Sequence, residues 1–149
     1  MKPGLLVLVV ALLAATGFGL WRRFTDGRIR GVDSHRDPAT PEHDPTPVLS
    51  AADLGGALGD RATLVQFSTA FCQPCRATRR ILGEVAEQVS GVAHVEIDAE
   101  DHLDLVRRLD VRRTPTVFVL DGSGAIIRRA VGQPRKADVI SALGEAIPG

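Results

Sequence analysis

The chain has 149 residues, and 18 Lys and Arg balance 18 Asp and Glu, so its formal net charge is zero. This balance gives no electrostatic basis for binding a nucleic acid or a strongly acidic partner. The length allows one ordinary domain plus an additional segment. Two cysteines are too few for a disulfide framework, and they leave the cellular compartment open.

The N-terminal segment 3–21 is apolar and contains no charged residue. As a helix rising about 1.5 Å per residue it nearly matches a hydrocarbon core of about 30 Å. Trp21 lies where an interfacial aromatic residue would lie. We therefore predict a transmembrane anchor over 3–21. A cleaved signal peptide and a buried soluble helix are the alternatives, but no small-residue cleavage site lies clear of the apolar run.

Residues 22–47 have no hydrophobic periodicity and contain four prolines, which predicts a semi-stiff linker. His35 and His43 fall within it, and we interpret them as solvated rather than as metal ligands. Arg22 and Arg23 follow the apolar segment, whereas Lys2 precedes it. The positive-inside rule then places the following domain on the cytoplasmic face.

The segment 48–149 alternates helical and strand patterns. Ser50 and Asp53 form a capping-box pattern that opens a short helix through about Leu58. The further predicted elements are a strand over 63–68, a helix from Cys72 to Ser90, a strand over 92–97, a helix over 101–109, a hairpin of strands 116–120 and 125–131, and a helix from Pro134 with Val139, Ile140 and Leu143 inward. This order predicts an α/β fold with a mixed sheet flanked by helices.

The two cysteines, Cys72 and Cys75, open the helix that follows the first strand. Only a thiolate attacks a disulfide, and the orphan N–H groups at a helix N-terminus favour an anion. Cys72 is therefore the predicted nucleophile, and Cys75, one turn later, the predicted resolving thiol. Pro74 suits the first helical turn, and Arg76 adds positive charge. A zinc site would need further ligands that the spacing of the histidines does not supply.

At these residues the chain resembles the thioredoxin family, through Phe71-Cys72-Gln73-Pro74-Cys75 and a second motif over 111–119. The resemblance covers roughly residues 48–147. It implies a thioredoxin-like fold with a short or absent first strand. It also implies a cis peptide bond at Pro115, with the Thr114 backbone offered to an extended substrate segment.

The chain departs from the family's pattern at four positions. The family's buried acid falls at Gln66, and glutamine cannot accept a proton. The lysine partner of that acid falls at His94, which would serve as the base only if its ring reached Cys75. Phe71 replaces the usual tryptophan, and Gln73 replaces the usual glycine between the cysteines. The direction of catalysis therefore stays open.

The resemblance implies a thiol–disulfide oxidoreductase that reduces protein disulfides and is regenerated by an electron-donor reductase, and the predicted anchor would tether it to a membrane. The Cys72–Cys75 pair carries the electrons, so no dissociable cofactor and no metal is expected. Tethered relatives often face outward, which leaves an extracytoplasmic, disulfide-introducing oxidant as one alternative. A metal-binding module using the cysteine pair and a non-catalytic peptide-binding module are the others.

Overall fold

The computed structural model describes residues 3–25, 29–31 and 47–147. Its elements in chain order are α1 (Pro3–Thr25), β1 (Ile29–Gly31), α2 (Ala51–Leu54), β2 (Ala62–Ser68), α3 (Gln73–Gln88), β3 (Val92–Asp98), α4 (Leu103–Arg108), β4 (Thr116–Asp121), β5 (Ile126–Val131) and α5 (Lys136–Ala146). From α2 onward this is the predicted order of helices and strands.

Within the described residues, five strands form one mixed sheet in the order β1-β5-β4-β2-β3. The β2–β3 pair is parallel and is connected through α3, whereas β4 pairs antiparallel with both β2 and β5. Strand β2 lies inside the sheet between β4 and β3 and is buried at every residue, including the polar Thr63, Gln66 and Ser68. The mixed α/β sheet flanked by helices is confirmed.

Each face of the sheet carries its own apolar core, because successive side chains of a strand point to opposite faces. On one face Phe67 and Phe118 meet edge to face, with ring centroids 5.8 Å apart, and pack against residues of α2 and α4. On the other face Leu64 and Val119 pack against residues of α3 and α5. The second face is the one that positions the N-terminus of α3.

Two element boundaries differ from the prediction for identifiable reasons. Helix α2 ends at Leu54 rather than near Leu58, because Gly55 already adopts a left-handed conformation with φ 63° and its N–H donates to the Ala51 carbonyl. On α5, Ile140 is 47% exposed, so its predicted place in the core is wrong. Small residues complete the buried face instead, namely Ala142 and Ala146.

The N-terminal part of the chain differs in part from the prediction. Helix α1 covers the apolar segment, and large apolar side chains from Val7 to Trp21 are exposed. Among the residues that the structure describes, however, none of the helices has the length and apolarity needed to traverse a bilayer. The helix is therefore confirmed, whereas its role as a membrane span is not.

Two of the described stretches within the predicted linker 22–47 have regular secondary structure. Helix α1 continues to Thr25, and β1 pairs antiparallel with β5 and forms one edge of the sheet. Main-chain hydrogen bonds at a sheet edge need no apolar periodicity, which is why the sequence did not indicate this strand. His35 and His43 lie outside the described residues.

Candidate active site

The two cysteines lie at the start of α3, where the backbone offers unpaired N–H groups. Cys72 is the N-cap residue of the helix, and its Sγ accepts a hydrogen bond from the Cys75 N–H at 3.2 Å. Pro74 occupies the first turn, where the N–H that it lacks would have no helical partner. This arrangement stabilises negative charge on the Cys72 sulfur, as the sequence predicts.

Cys72 and Cys75 form a disulfide with an S–S distance of 2.04 Å. Cys75 is 2% exposed, whereas Cys72 is only partly buried. An incoming sulfur atom can therefore reach Cys72 but not Cys75. The geometry separates an accessible attacking sulfur from a buried resolving one.

A cavity of about 370 Å³ opens beside the disulfide. Its lining comes from the end of β2, the loop before Cys72, the first turns of α3 and the neighbouring strand β3. The lining residues are Ser68, Thr69, Ala70, Cys72, Cys75, Arg76, Arg79, Glu96 and Asp98. Charged groups of both signs thus share a wall with the reactive sulfurs.

The side chains around the outer sulfur are open to solvent. Phe71 is 98% exposed, and Gln73, Pro74 and Arg76 are exposed as well. An aromatic ring left fully in water beside a reactive group is available for contact with a bound polypeptide. Among these predicted supporting residues, Arg76 also lines the cavity.

The Thr114–Pro115 peptide bond is cis, as predicted. Its loop lies against the loop that precedes Cys72, because the Thr114 and Thr69 hydroxyl oxygens are 3.3 Å apart. The Thr69 carbonyl in turn accepts from the Cys72 N–H at 3.2 Å. Short contacts therefore connect the cis-proline loop to the cysteine pair.

Gln66 lies directly beneath the pair and is fully buried. Its Nε2 donates to the Cys75 carbonyl at 2.9 Å and to Ser68 Oγ at 2.8 Å. Its Oε1 has no hydrogen-bond partner among the described residues. Gln66 therefore holds the backbone of the resolving cysteine rather than its sulfur.

His94, the candidate replacement for the missing acid, lies on β3. In the parallel register it is opposite Leu64, two residues before the Gln66–Glu96 pair, and it does not line the cavity beside the disulfide. Burial lowers the pKa of its imidazole despite the nearby Glu96 carboxylate. Its Nε2 is buried and has no partner among the described residues.

Glu96, for which the sequence indicated no role, supplies a hydrogen-bonded carboxylate at the site. Ser68 Oγ donates to Glu96 Oε1 at 2.6 Å, and Arg79 donates to both carboxylate oxygens at 2.5 and 2.7 Å. The alternation of β3 places Glu96 on the same face as His94 and toward α3. The alternation of β3 could have shown that Glu96 faces α3. The sequence did not show that the cysteine pair lies next to this part of β3.

No metal centre is formed by the part of the chain that is described: it contains no group of three or more His, Cys, Asp or Glu side chains placed to hold an ion. Neither His94 nor His102 is among the residues that line the cavity.

Comparison with known proteins agrees with this geometry. The sequence model of the family described as Thioredoxin matches residues 52–145. The chain belongs to the thioredoxin family. It is 30% identical to thioredoxin-2 of Saccharomyces cerevisiae over 89 residues, which are 58% of this chain and 85% of that protein. It is 29% identical to a thioredoxin of Mycoplasma genitalium over 77 residues, or 52% and 74% of the two chains.

Solved structures of thioredoxins share the fold. A mutant thioredoxin from Halobacterium salinarum superposes with a TM-score of 0.55 at 21% identity, covering 60% of this chain and 78% of that one. The family match and the bonded cysteine pair together show that this member of the thioredoxin family is a thiol–disulfide oxidoreductase. The matched region contains every predicted site residue from Gln66 to Pro115.

Proposed function

We propose that this protein reduces disulfide bonds of protein substrates through a cycle of its Cys72–Cys75 pair. The observation that carries the proposal is the unequal accessibility of the two bonded sulfurs at a helix N-terminus. Cys72 is partly exposed and accepts a backbone hydrogen bond, whereas Cys75 is 2% exposed. A pair built in this way attacks with one sulfur and resolves with the other.

The cycle begins with both cysteines reduced. The Cys72 thiolate attacks one sulfur of the substrate disulfide and forms a mixed disulfide, and the other substrate sulfur leaves as a thiolate that takes up a proton. Cys75 loses its proton and attacks the Cys72 sulfur, which re-forms the internal disulfide and releases the second substrate thiol. Two electrons pass to the substrate, and an external dithiol reductase must return them.

The surface around Cys72 suits an extended polypeptide. Phe71 offers an exposed apolar ring, and the Thr114–Pro115 turn lies beside the cysteine loop. We assign Thr114 a role in backbone pairing with the substrate segment. The cysteine pair itself is the redox group, so the cycle needs no dissociable cofactor.

The direction of the reaction is tested by the reduction potential of the pair and by activity on insulin. We expect a potential near about −270 mV, at the reducing end of the family's range. With dithiothreitol as the electron donor, Cys72→Ser should abolish catalysis of insulin disulfide reduction. Cys75→Ser should instead accumulate a mixed disulfide with the substrate. A potential near about −120 mV would instead establish a disulfide-introducing oxidant.

We also propose that the apolar N-terminal segment tethers the domain to a membrane, with the domain on the cytoplasmic face. The support is in the sequence: residues 3–21 carry no charge, and Arg22 and Arg23 follow them. Fractionation after alkaline carbonate washing tests the tether, with a chain lacking residues 1–24 as the control. The orientation is tested in a Cys72→Ser/Cys75→Ser background that carries Ser123→Cys. If a membrane-impermeant maleimide labelled this variant in intact cells, the result would contradict the cytoplasmic orientation.

A further inference from the structure

The cavity beside the disulfide contains an ion pair that the redox cycle described above does not use. Glu96 on β3 and Arg79 on α3 both line the cavity together with the two sulfurs. The Glu96 side chain is 24% exposed, and the Arg79 side chain is 56% exposed. A partly buried charge on the wall of such a cavity is screened less than a surface charge.

Both oxygens of the Glu96 carboxylate already accept hydrogen bonds. Oε2 accepts from Arg79 Nε, and Oε1 accepts from Arg79 and from the Ser68 hydroxyl. Burial raises the pKa of the Glu96 carboxyl, but the hydrogen bonds from Arg79 and Ser68 outweigh burial and leave that pKa below its ordinary value. The group is therefore a fixed negative charge rather than a base ready to take a proton.

Among the described residues, the charged groups near Glu96 come from two elements, α3 and β3. Arg76 and Arg79 come from α3, and His94 and Asp98 lie on the same face of β3. From β2 the neighbours are neutral, namely Ser68 and Gln66. Arg79 lines the same cavity as the two sulfurs, so without Glu96 its guanidinium charge would act on a thiolate there unopposed by that carboxylate.

We propose that Glu96 is a positioning residue that binds Arg79, opposes its charge, and thereby keeps the thiols of the Cys72–Cys75 pair weakly acidic and the pair reducing. This proposal deepens the proposed reductase function and rests on it. A nearby negative charge disfavours a thiolate, whereas a nearby guanidinium favours it. In the ion pair, the effect of the Glu96 carboxylate on the thiol pKa values opposes that of the Arg79 guanidinium.

The link to the reduction potential follows from the exchange equilibrium. The disulfide form and two molecules of glutathione convert into the dithiol form and glutathione disulfide, with two electrons passing from glutathione to the pair. A thiolate that is stabilised in the dithiol form makes that form more favourable and the pair more oxidising. Glu96 acts against this stabilisation.

The test uses the whole chain in its reduced state. The pKa of Cys72 is read from the pH dependence of its alkylation by iodoacetamide. Glu96→Gln should lower this pKa by about one unit, and Arg79→Met should raise it by a similar amount. Glu96→Asp keeps the charge and should stay near the wild-type pKa.

The exchange equilibrium with glutathione is then measured at a pH above the thiol pKa values. Glu96→Gln should shift it toward the dithiol form by about tenfold, which corresponds to about 30 mV. Glu145→Gln removes the acid of the Arg128–Glu145 pair between β5 and α5, which does not line the cavity, and should change neither quantity.

The opposite signs make the test decisive. A merely structural role would give Glu96→Gln and Arg79→Met shifts of the same sign, and that result, or unchanged pKa values in both, would overturn the proposal. The insulin assay plays no part in this test. A wild-type chain unable to reduce insulin would refute the proposed function, while opposite shifts would still establish the role of Glu96.

Discussion

Gln66 offers the sharpest test of how the buried floor of the site is built. It is fully buried, and its Nε2 donates to the Cys75 carbonyl at 2.9 Å and to Ser68 Oγ at 2.8 Å. Gln66→Leu keeps a similar volume and removes both hydrogen bonds. At about 1 kcal/mol for each bond, we expect the free energy of unfolding to fall by about 2 kcal/mol at every pH.

Gln66→Glu has nearly the same shape but replaces the donor by a carboxyl group 3.5 Å from the Glu96 carboxylate. Burial and the like charge raise the folded-state pKa of this carboxyl above its unfolded value of about 4.3. The folded protein then keeps a proton that the unfolded chain releases. Between the two pKa values, each pH unit therefore costs about 1.4 kcal/mol of stability.

The expected loss for Gln66→Glu is about 1 kcal/mol near pH 4, where the neutral acid still donates one hydrogen bond, and about 4 kcal/mol at pH 7. Urea unfolding of the oxidised protein, followed by circular dichroism at several pH values, measures both variants against the wild type. The free energies of unfolding of Gln66→Glu and Gln66→Leu should therefore diverge between about pH 4 and pH 7. A constant difference between them would refute the premise that the side chain at position 66 is shielded from water beside Glu96.

Two further predictions concern the helix cap and the exposed ring. Hydrogen bonds from the Ser50 hydroxyl and backbone, together with Arg108, lower the pKa of Asp53 to about 2. This stabilisation is present above a pH of about 4 and is lost as the pH falls through the folded-state pKa of Asp53. Ser50→Ala should therefore lower the free energy of unfolding by about 1 kcal/mol at pH 7. An equally large loss in unfolding experiments at about pH 2 would contradict this prediction. Phe71 is 98% exposed, so Phe71→Ala should leave the free energy of unfolding unchanged. The variant should have a several-fold lower kcat/KM for insulin but an unchanged kcat/KM for a small aromatic disulfide. Equal losses of kcat/KM for both substrates would argue against contact between Phe71 and a polypeptide substrate.

The sequence by itself determined the redox pair and the fold around it. Cys72, Pro74 and Cys75 are adjacent in the chain, so the helix start that activates Cys72 is a local feature. The cis bond at Pro115 was predictable because it accompanies a short motif, and the strands and helices after residue 48 follow local periodicity. Features of this kind depend on residues that are close in the sequence, so they can be predicted without knowing which strands are neighbours.

The tertiary structure alone decided which charges meet the sulfurs. Glu96 and Arg79 are 17 residues apart, and the parallel register of β2 and β3 places Glu96, rather than His94, opposite Gln66. A shift of two residues along β3 would exchange the two side chains, and no periodicity distinguishes those registers because both residues point to the same face. The short strand β1 likewise exists through its pairing with β5. Register and strand pairing depend on contacts between distant segments, and for that reason the composition of the cavity could be found only in the folded chain.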